Sequence, residues 1–251
     1  MLGIYLSGTG NTKYCIEKLA KALDEKAVCC PIESENSVGL IKENEEIILG
    51  YPIQFSNIPY MVKDFIQSND IWRGKKVFVV STMGAFSGDG SGCGARVLKK
   101  MGADVVGGLH IRMPDSVCDS PLLKNPYEKN ARIIDRADRK IERVAERMKT
   151  GEYPHEGLSF IAHVTGLIGQ RLWFYGKTKG YSDKLKINNT CVGCGICVSD
   201  CPMGNIELKE GKAVAGDKCT MCYRCIANCP NKAITLLGKE VVEQHKLSNY
   251  R

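Results

Sequence analysis

The sequence predicts two unlike units. The first 150 residues favour an α/β fold with a doubly wound parallel sheet, and a smaller cysteine-rich unit follows. Three observations predict this division. Short runs rich in Val and Ile alternate with helical patterns as far as Lys149. A glycine-rich turn follows the first of those runs. Eight of the 13 cysteines then fall into two copies of one spacing.

Five strands are predicted in the first unit. Their bounds are Leu2–Leu6, Ala27–Ile32, Glu46–Gly50, Lys75–Ser81 and Val105–Ile111. Helical spacing of apolar residues follows the first strand, and further helices are predicted over Pro59–Ser68, Cys93–Met101 and Asn130–Lys149. Strands that alternate with helices favour a parallel sheet, and such sheets bind ligands beyond the carboxyl ends of their strands.

The turn between the first strand and the first helix predicts an anion site. It reads Ser7-Gly8-Thr9-Gly10-Asn11-Thr12 and is named loop one. A turn of this kind presents backbone N–H groups at the positive end of a helix dipole, and its hydroxyls add donors. Neither the P-loop pattern nor G-x-G-x-x-G fits, because the P-loop lysine is missing and Lys13 stands where a glycine is needed. Hydroxyls in place of that lysine favour a phosphate monoester held without metal.

Two later loops are expected at the same end of the sheet. Loop two reads Tyr51-Pro52-Ile53-Gln54-Phe55-Ser56-Asn57-Ile58-Pro59, and loop three reads Thr82-Met83-Gly84-Ala85-Phe86-Ser87-Gly88-Asp89-Gly90. The glycines of loop three permit close approach of the backbone to a ligand. Ordinary turn-making and loop packing are the alternative explanation for both loops.

The cysteine pattern is an internal duplication. The first copy has the spacing C-x2-C-x2-C-x3-C, followed by Pro202, and the second copy repeats it 28 positions later, followed by Pro230. The spacing resembles the bacterial ferredoxin run that holds two 4Fe-4S clusters, in which the fourth cysteine serves the other cluster. The resemblance implies Cys191, Cys194, Cys197 and Cys229 for cluster one, and Cys201, Cys219, Cys222 and Cys225 for cluster two. Disulfides or two zinc sites are the alternatives.

The other five cysteines show no ligand spacing and are expected to be buried small hydrophobes. They are Cys15, Cys29, Cys30, Cys93 and Cys118. Cys29 and Cys30 are adjacent in a predicted strand, so they should face opposite sides of the sheet. This many free thiols favours a reducing cytosol, that of an anaerobe.

The formal net charge of +7 is spread along the chain without a strongly basic segment, which argues against a nucleic-acid partner. A solvated surface explains it, with a mildly basic docking face for an acidic redox partner as the alternative. No signal peptide is expected, since a strand pattern begins at Leu2 without a charged stretch before it.

The stretch from Leu158 to Tyr175 contains His163, Gln170 and Arg171 and lacks the roughly 20 apolar residues that a membrane span needs. We expect it to form a helix that packs the two units together; a helix lying on a membrane surface is the alternative.

Loop one resembles the phosphate loop of the flavodoxin family, Ser/Thr-x-Thr-Gly-x-Thr, at Ser7, Thr9, Gly10 and Thr12. The resemblance implies a flavodoxin-like sheet of strand order 2-1-3-4-5 that binds FMN. It also implies that residues 52–57 of loop two and 82–87 of loop three hold the isoalloxazine ring, with Phe55 and Phe86 as ring neighbours.

Both units together resemble the fused flavodoxin–ferredoxin proteins of anaerobes, the EFR1 type. This implies a flavodoxin-like domain over residues 1–150, a linker over 151–183, and a small α+β ferredoxin domain with two 4Fe-4S clusters over 184–251. The expected function is cytoplasmic electron transfer between the clusters and FMN, with a ferredoxin or a reductase as partner. The alternative is an FMN-dependent reductase of a quinone, nitro compound or other small acceptor, fed by ferredoxin. No side chain need act as acid or base, although Asp89 and Asp115 are candidates for protonating the flavin.

Overall fold

The computed structural model describes residues 1–168, 172, 184–244 and 246–250. Its largest element is a five-stranded sheet. The strands are β1 (Leu2–Tyr5), β2 (Val28–Pro31), β3 (Glu46–Pro52), β4 (Lys76–Met83) and β5 (Asp104–Arg112). They lie in the order β2-β1-β3-β4-β5, and every pairing is parallel. The predicted fold class and strand order are therefore confirmed.

Helices cover both faces of this sheet. They are α1 (Asn11–Leu23), α2 (Ser37–Glu43), α3 (Tyr60–Gln67), α4 (Gly90–Lys100) and α5 (Tyr127–Lys149). Buried side chains of α1 and α5 pack on one face, and those of α2, α3 and α4 on the other. Sequence analysis missed α2, because seven residues around Gly39 are too few to show a helical period.

The adjacent cysteines of β2 show how the strand divides its side chains between these layers. Cys30 belongs to the core on the α3 and α4 side, whereas Cys29 packs against the core on the α1 and α5 side. This is the alternation that an extended strand imposes, and the prediction for this pair is confirmed.

The chain after α5 returns to the edge of the sheet. Gly108 in β5 donates to the Pro154 carbonyl at 2.8 Å and accepts from the Glu156 N–H at 2.9 Å. The helix α6 (Phe160–Gly166) then packs on loop three, where His163 Nδ1 lies 3.0 Å from Asp89 Oδ2. The described part of the predicted 158–175 helix thus contacts the sheet domain. Residues 169–171 and 173–183 lie outside the described residues.

A second, smaller α+β domain contains both cysteine repeats. Two antiparallel ribbons pair β6 (Lys186–Ile187) with β9 (Ile234–Thr235) and β7 (Ile206–Lys209) with β8 (Lys212–Ala215). Each repeat also forms a short helix, α7 (Ile196–Asp200) or α8 (Arg224–Asn228). Asn228 Nδ2 donates to Asp200 Oδ2 at 2.7 Å, so two residues that occupy the same place in the repeats join the helices.

The segment after β5 ties the two domains together. Cys118 is 1% exposed and belongs to the core of the second domain. The Asp119 carboxylate accepts hydrogen bonds from the Tyr223 hydroxyl and from the backbone N–H groups of residues 236–238, at 2.7 to 3.0 Å. At the C-terminus, the Leu247 N–H donates to the Thr9 carbonyl at 3.1 Å. In the described part of the chain, no helix combines the length and the apolar character of a membrane span.

Candidate functional site

A cavity of about 330 Å³ opens beyond the carboxyl ends of the parallel strands. Small-molecule sites typically have about 300–1,000 Å³. Loops one, two and three supply much of its wall. Their lining residues are Ser7, Gly8, Thr9, Asn11, Thr12, Pro52, Ile53, Gln54, Phe55, Thr82, Met83, Gly84, Ala85 and Phe86.

Four residues predicted for flavin binding do not line this cavity. Gly10 caps α1 in a left-handed conformation, with a φ of 95°. Ser56 and Asn57 complete a tight turn whose other residues reach the cavity. The Ser87 hydroxyl instead lies 2.7 Å from His110 Nδ1, behind loop three.

Loop one carries donors that fit a phosphate. The Ser7 hydroxyl is buried and has no hydrogen-bond partner among the described residues. The N–H groups of Gly8, Thr9 and Gly10 donate to no backbone carbonyl in the described part of the chain. The first turn of α1 holds no acidic side chain that would oppose an anion. An orphaned hydroxyl beside free N–H groups at a helix N-terminus is the donor set that a phosphate monoester needs, so the residues fit FMN.

Two other hydroxyls of loop one have partners across the cavity. Thr12 Oγ1 lies 2.8 Å from Thr82 Oγ1 of loop three, and Thr9 Oγ1 lies 2.9 Å from Ser116 Oγ in the loop after β5. These pairs hold the loops of three strands together at the phosphate end of the cavity.

Loop two makes a strained turn. Gln54 and Asn57 exchange backbone hydrogen bonds, while Phe55 and Ser56 between them have φ values of 49° and 56°. A non-glycine residue in that region costs about 1–3 kcal/mol. The turn lays the Phe55 ring against the core of the second domain, and Gln54 Nε2 donates to the Thr220 carbonyl at 2.8 Å. The strain therefore serves both the cavity wall and the domain contact.

Loop three meets the cavity at its mouth, where the Phe86 side chain is 52% exposed. The two acidic candidates differ in position. Asp115 lines the cavity and packs so tightly on Gly84 that a Cβ there would lie 2.3 Å from its Oδ2. Asp89 is fully buried and pairs with Arg96 at 2.7 Å. Only Asp115 is placed to exchange a proton with a ligand in the cavity.

Apart from Asp115, sequence analysis missed the remaining wall of the cavity. It consists of the loop after β5 together with part of the second domain: Met113, Pro114, Asp115, Ser116, Val117, Leu123, Met221, Cys222, Tyr223 and Leu237. The residues after β5 could have been predicted, since a loop that follows β5 must emerge at the same edge of a parallel sheet as loops one, two and three. The residues of the second domain could not have been predicted from local sequence, because only the docking of the two domains brings them to the cavity.

The eight repeat cysteines surround two separate spaces. Cys191, Cys194, Cys197 and Cys229 line one of them, which we name cage one. Cys201, Cys219, Cys222 and Cys225 line the other, cage two. Each cage thus takes three cysteines from one repeat and the fourth from the other. Among the described residues, no three Cys, His, Asp or Glu side chains converge as ligands of a single ion do. The sulfurs enclose a volume instead, as a cubane cluster requires.

Backbone N–H groups point at several of these sulfurs. Asn205 donates to Cys201 Sγ and, 28 positions later, Ala233 donates to Cys229 Sγ, both at 3.3 Å. Such bonds favour the thiolate that iron requires and tune cluster potentials. Hydrogen bonds from Ala213 and Gly193 hold the pKa of Cys191 below its usual value, whereas burial raises the pKa of Cys222 to about 11. Each cage has four soft thiolate donors, three from one repeat and one from the other, and this set fits a 4Fe-4S cluster.

Comparison with known proteins supports the same division. Residues 2–101 match the flavodoxin domain family, and residues 184–240 match the 4Fe-4S dicluster domain family. No curated protein matches the chain. A two-electron reduced flavodoxin of Megasphaera elsdenii is 25% identical, over 46% of this chain and 89% of that one, with a TM-score of 0.39. The flavodoxin of Streptococcus pneumonia TIGR4 is 16% identical, over 60% of this chain and 98% of that one, with a TM-score of 0.43.

The fold and the two matched regions define an electron-transfer protein that uses flavin and iron–sulfur groups. Within that class, the chain joins a region that matches the flavodoxin domain family to a region that matches the 4Fe-4S dicluster domain family.

Proposed function

We propose that this chain relays electrons between two 4Fe-4S clusters and one FMN, arranged in space as cluster one, cluster two and flavin. Cages one and two hold the clusters, and the cavity at the strand ends holds FMN. When bound, the clusters pass single electrons and the flavin exchanges one or two, so the fusion joins one-electron traffic to two-electron chemistry.

The observation that carries this order is the position of Cys222. It lines both cage two and the flavin cavity, so one ligand residue forms the boundary between the two cofactor sites. Its carbonyl also packs directly on loop one, where a Cβ on Gly8 would lie only 1.7 Å from the Cys222 oxygen. Cage one has no residue in common with the flavin cavity.

The exposure of cage one supports electron exchange with a protein partner at that end. Of the eight repeat cysteines Cys194 alone is exposed, and the neighbouring Val192 side chain is 64% exposed. A one-electron carrier, either a ferredoxin or a reductase, would reach cluster one first. Rates of electron transfer fall steeply with distance, so the partner's docking face belongs over cage one.

A reductase of a small apolar acceptor is the second candidate function. It is favoured by the mouth of the flavin cavity, where Phe86, Leu123 and Leu237 are apolar and each at least 39% exposed. In that case Asp115, which faces the cavity, would supply a proton to the reduced product.

The relay is tested with anaerobically purified protein. Reduced ferredoxin, NADH and NADPH are added in turn, and the flavin and cluster absorbance is followed. Reduction by ferredoxin, with cluster absorbance changing no later than flavin absorbance, is the expected result. Rapid reduction by a pyridine nucleotide would contradict the relay and indicate an enzyme with a hydride site of its own.

The flavin site is tested at loop one. Replacing Thr9 and Thr12 together by Val removes two hydroxyls at the phosphate end of the cavity. FMN binding should weaken by tenfold or more, since each hydrogen bond to an anion stabilises the complex by at least about 0.5–1.5 kcal/mol. Fluorescence titration with FMN measures this change. Unchanged flavin retention would refute the phosphate assignment. Thr165→Val, on the surface of α6, is the control.

A further inference from the structure

The two cysteine repeats differ at all seven positions between the ligands, and three of these positions concern the contact with the sheet domain. Repeat one has Gly193, Gly195 and Ile196, where repeat two has Met221, Tyr223 and Arg224. The backbone nevertheless keeps the same left-handed turns. The φ values are 68° and 79° at the two glycines, and 56° and 63° at Met221 and Tyr223. Repeat two therefore holds large side chains in a conformation that glycine adopts without strain.

Those strained side chains are directed at the sheet domain. Met221 and Tyr223 are 8% and 4% exposed, and both line the flavin cavity. The Tyr223 hydroxyl also donates to Asp119 Oδ1 at 3.0 Å. The interdomain contacts offset the backbone strain.

Arg224 links cage two to loop one. Its guanidinium donates to the Ser7 carbonyl at 2.8 Å and to the Asp200 carbonyl at 3.2 Å, and it pairs with Glu33. Asp200 directly precedes the cage-two cysteine Cys201. One charged side chain thus touches the backbone of both cofactor sites.

The bond to Ser7 sets the direction of the next N–H. In a planar trans peptide the carbonyl and the N–H point in opposite directions. Because the Ser7 carbonyl points at Arg224, the N–H of the same peptide, that of Gly8, points away from Arg224, and both Ser7 and Gly8 line the cavity. The Gly8 N–H donates to no backbone carbonyl of the described residues, so it is free for a ligand.

We propose that the flavin site is built by both domains, with Arg224 as a positioning residue that orients the phosphate-binding N–H of Gly8 and Met221 as a wall residue. The inference rests on the proposed function, in that the cavity is taken to hold FMN and cage two a cluster. Its consequence is coupling: an assembled cage two strengthens FMN binding, and bound FMN protects cage two, whereas cage one is indifferent.

Arg224→Leu tests the positioning role. Loss of a charged hydrogen bond to loop one should raise the dissociation constant of FMN by tenfold or more, measured by quenching of flavin fluorescence. Lys209→Leu, an exposed basic residue of the same domain, is the matched control and should leave affinity unchanged. Iron content of both variants is measured alongside, to show that the cages are assembled.

Met221→Gly keeps the test decisive if Arg224→Leu fails to fold. Glycine is the residue of repeat one and relieves the left-handed strain, so the cages should retain their iron. The cavity loses a buried side chain, and FMN affinity should fall several-fold. Full iron content would show that the Met221→Gly variant is folded, so weaker FMN binding in that variant could not be a result of unfolding. Unchanged affinity in both variants would overturn the two-domain site.

The same coupling is measured from the other side by iron release. A chelator should remove iron more slowly from the FMN-bound protein than from the flavin-free protein, and this protection should be lost in Arg224→Leu. Equal release rates in the wild type would overturn the coupling. If the wild type binds FMN but releases iron at equal rates, only the coupling fails. If the wild type binds no FMN at all, the proposed function fails as well.

Discussion

The two cysteine repeats share one backbone and differ in what surrounds them. In repeat one, Cys194 is exposed and Ile196 is 39% exposed, and glycines occupy the left-handed positions. In repeat two, the corresponding Cys222 and Arg224 lie between cage two and the sheet domain. The ligand positions fix the shape of a cage, and the residues between them adapt each cage to its neighbour. The difference indicates that one end of the proposed relay is adapted to solvent and the other to the proposed flavin site.

Replacement of one cysteine in each repeat is the strongest test of this comparison. Cys194→Ala should remove cluster one and leave FMN bound, while Cys222→Ala should remove cluster two and also weaken FMN. Both should slow flavin reduction by ferredoxin by about a hundredfold or more, because a break in the relay adds a large barrier, and each 1.36 kcal/mol is tenfold in rate.

Iron analysis, electron paramagnetic resonance and FMN titration measure these outcomes. Two intact clusters in Cys194→Ala would contradict the ligand assignment, and equal FMN affinity in both variants would remove the asymmetry between the repeats.

The second largest effect is expected where repeat two is anchored to the sheet domain. Asp119→Ala leaves the Tyr223 hydroxyl and the N–H groups of residues 236–238 without their buried acceptor. Loss of such a carboxylate should lower the free energy of unfolding by about 3–5 kcal/mol. Urea unfolding checks this, with the exposed Asp217→Ala as control. A change below about 1 kcal/mol would show that the anchor is not needed.

Replacing each of the two glycines of repeat one by Ala separates the cost of backbone strain from the cost of steric overlap of the added Cβ. A Cβ on Gly193 would lie 2.0 Å from the Gly211 carbonyl oxygen, whereas on Gly195 it would meet nothing nearer than Leu208 at 3.8 Å. Gly195→Ala should therefore cost only the left-handed strain, about 1–2 kcal/mol, and Gly193→Ala clearly more. Thermal unfolding and iron content measure the difference. Equal losses would mean that the backbone at Gly193 can yield.

The smallest expected effect lies outside both repeats and serves as a reference for them. Burial lowers the pKa of His110, which lies between the hydroxyls of Ser87 and Ser91, against an opposing effect of Glu156 and further lowering by Lys140. The unfolded state, with a pKa of about 6.5, takes up the proton first, so stability is present above that pH and declines as the pH falls below it.

His110→Gln should reduce this pH dependence by up to about 1 kcal/mol between pH 7.5 and 5.5, measured by urea unfolding at each pH. An unchanged slope would show that His110 takes up its proton in the folded protein as readily as in the unfolded chain. Iron content should stay the same in this variant, since His110 touches neither cage.

Much of the fold followed from pattern alone. Alternating strands and helices predicted the parallel sheet, and the 28-residue repeat predicted the ferredoxin-type domain. Strand ends differed from the predictions by one or two residues, since β3 and β4 continue into loops two and three. The helix α2 was not predicted because it is short. The assignment of individual cysteines to each cluster stays a prediction.

The chain's own residue types and spacings determined the α/β fold, the paired cysteine motifs and the phosphate-type turn, because these depend on local periodicity and on the chemistry of adjacent side chains. The docking of repeat two on loop one was decided only in the tertiary structure. It joins Arg224 to Ser7 and Tyr223 to Asp119, contacts between residues more than 100 positions apart. No local pattern encodes such a pairing, since its free energy comes from surfaces that meet only after both domains have folded.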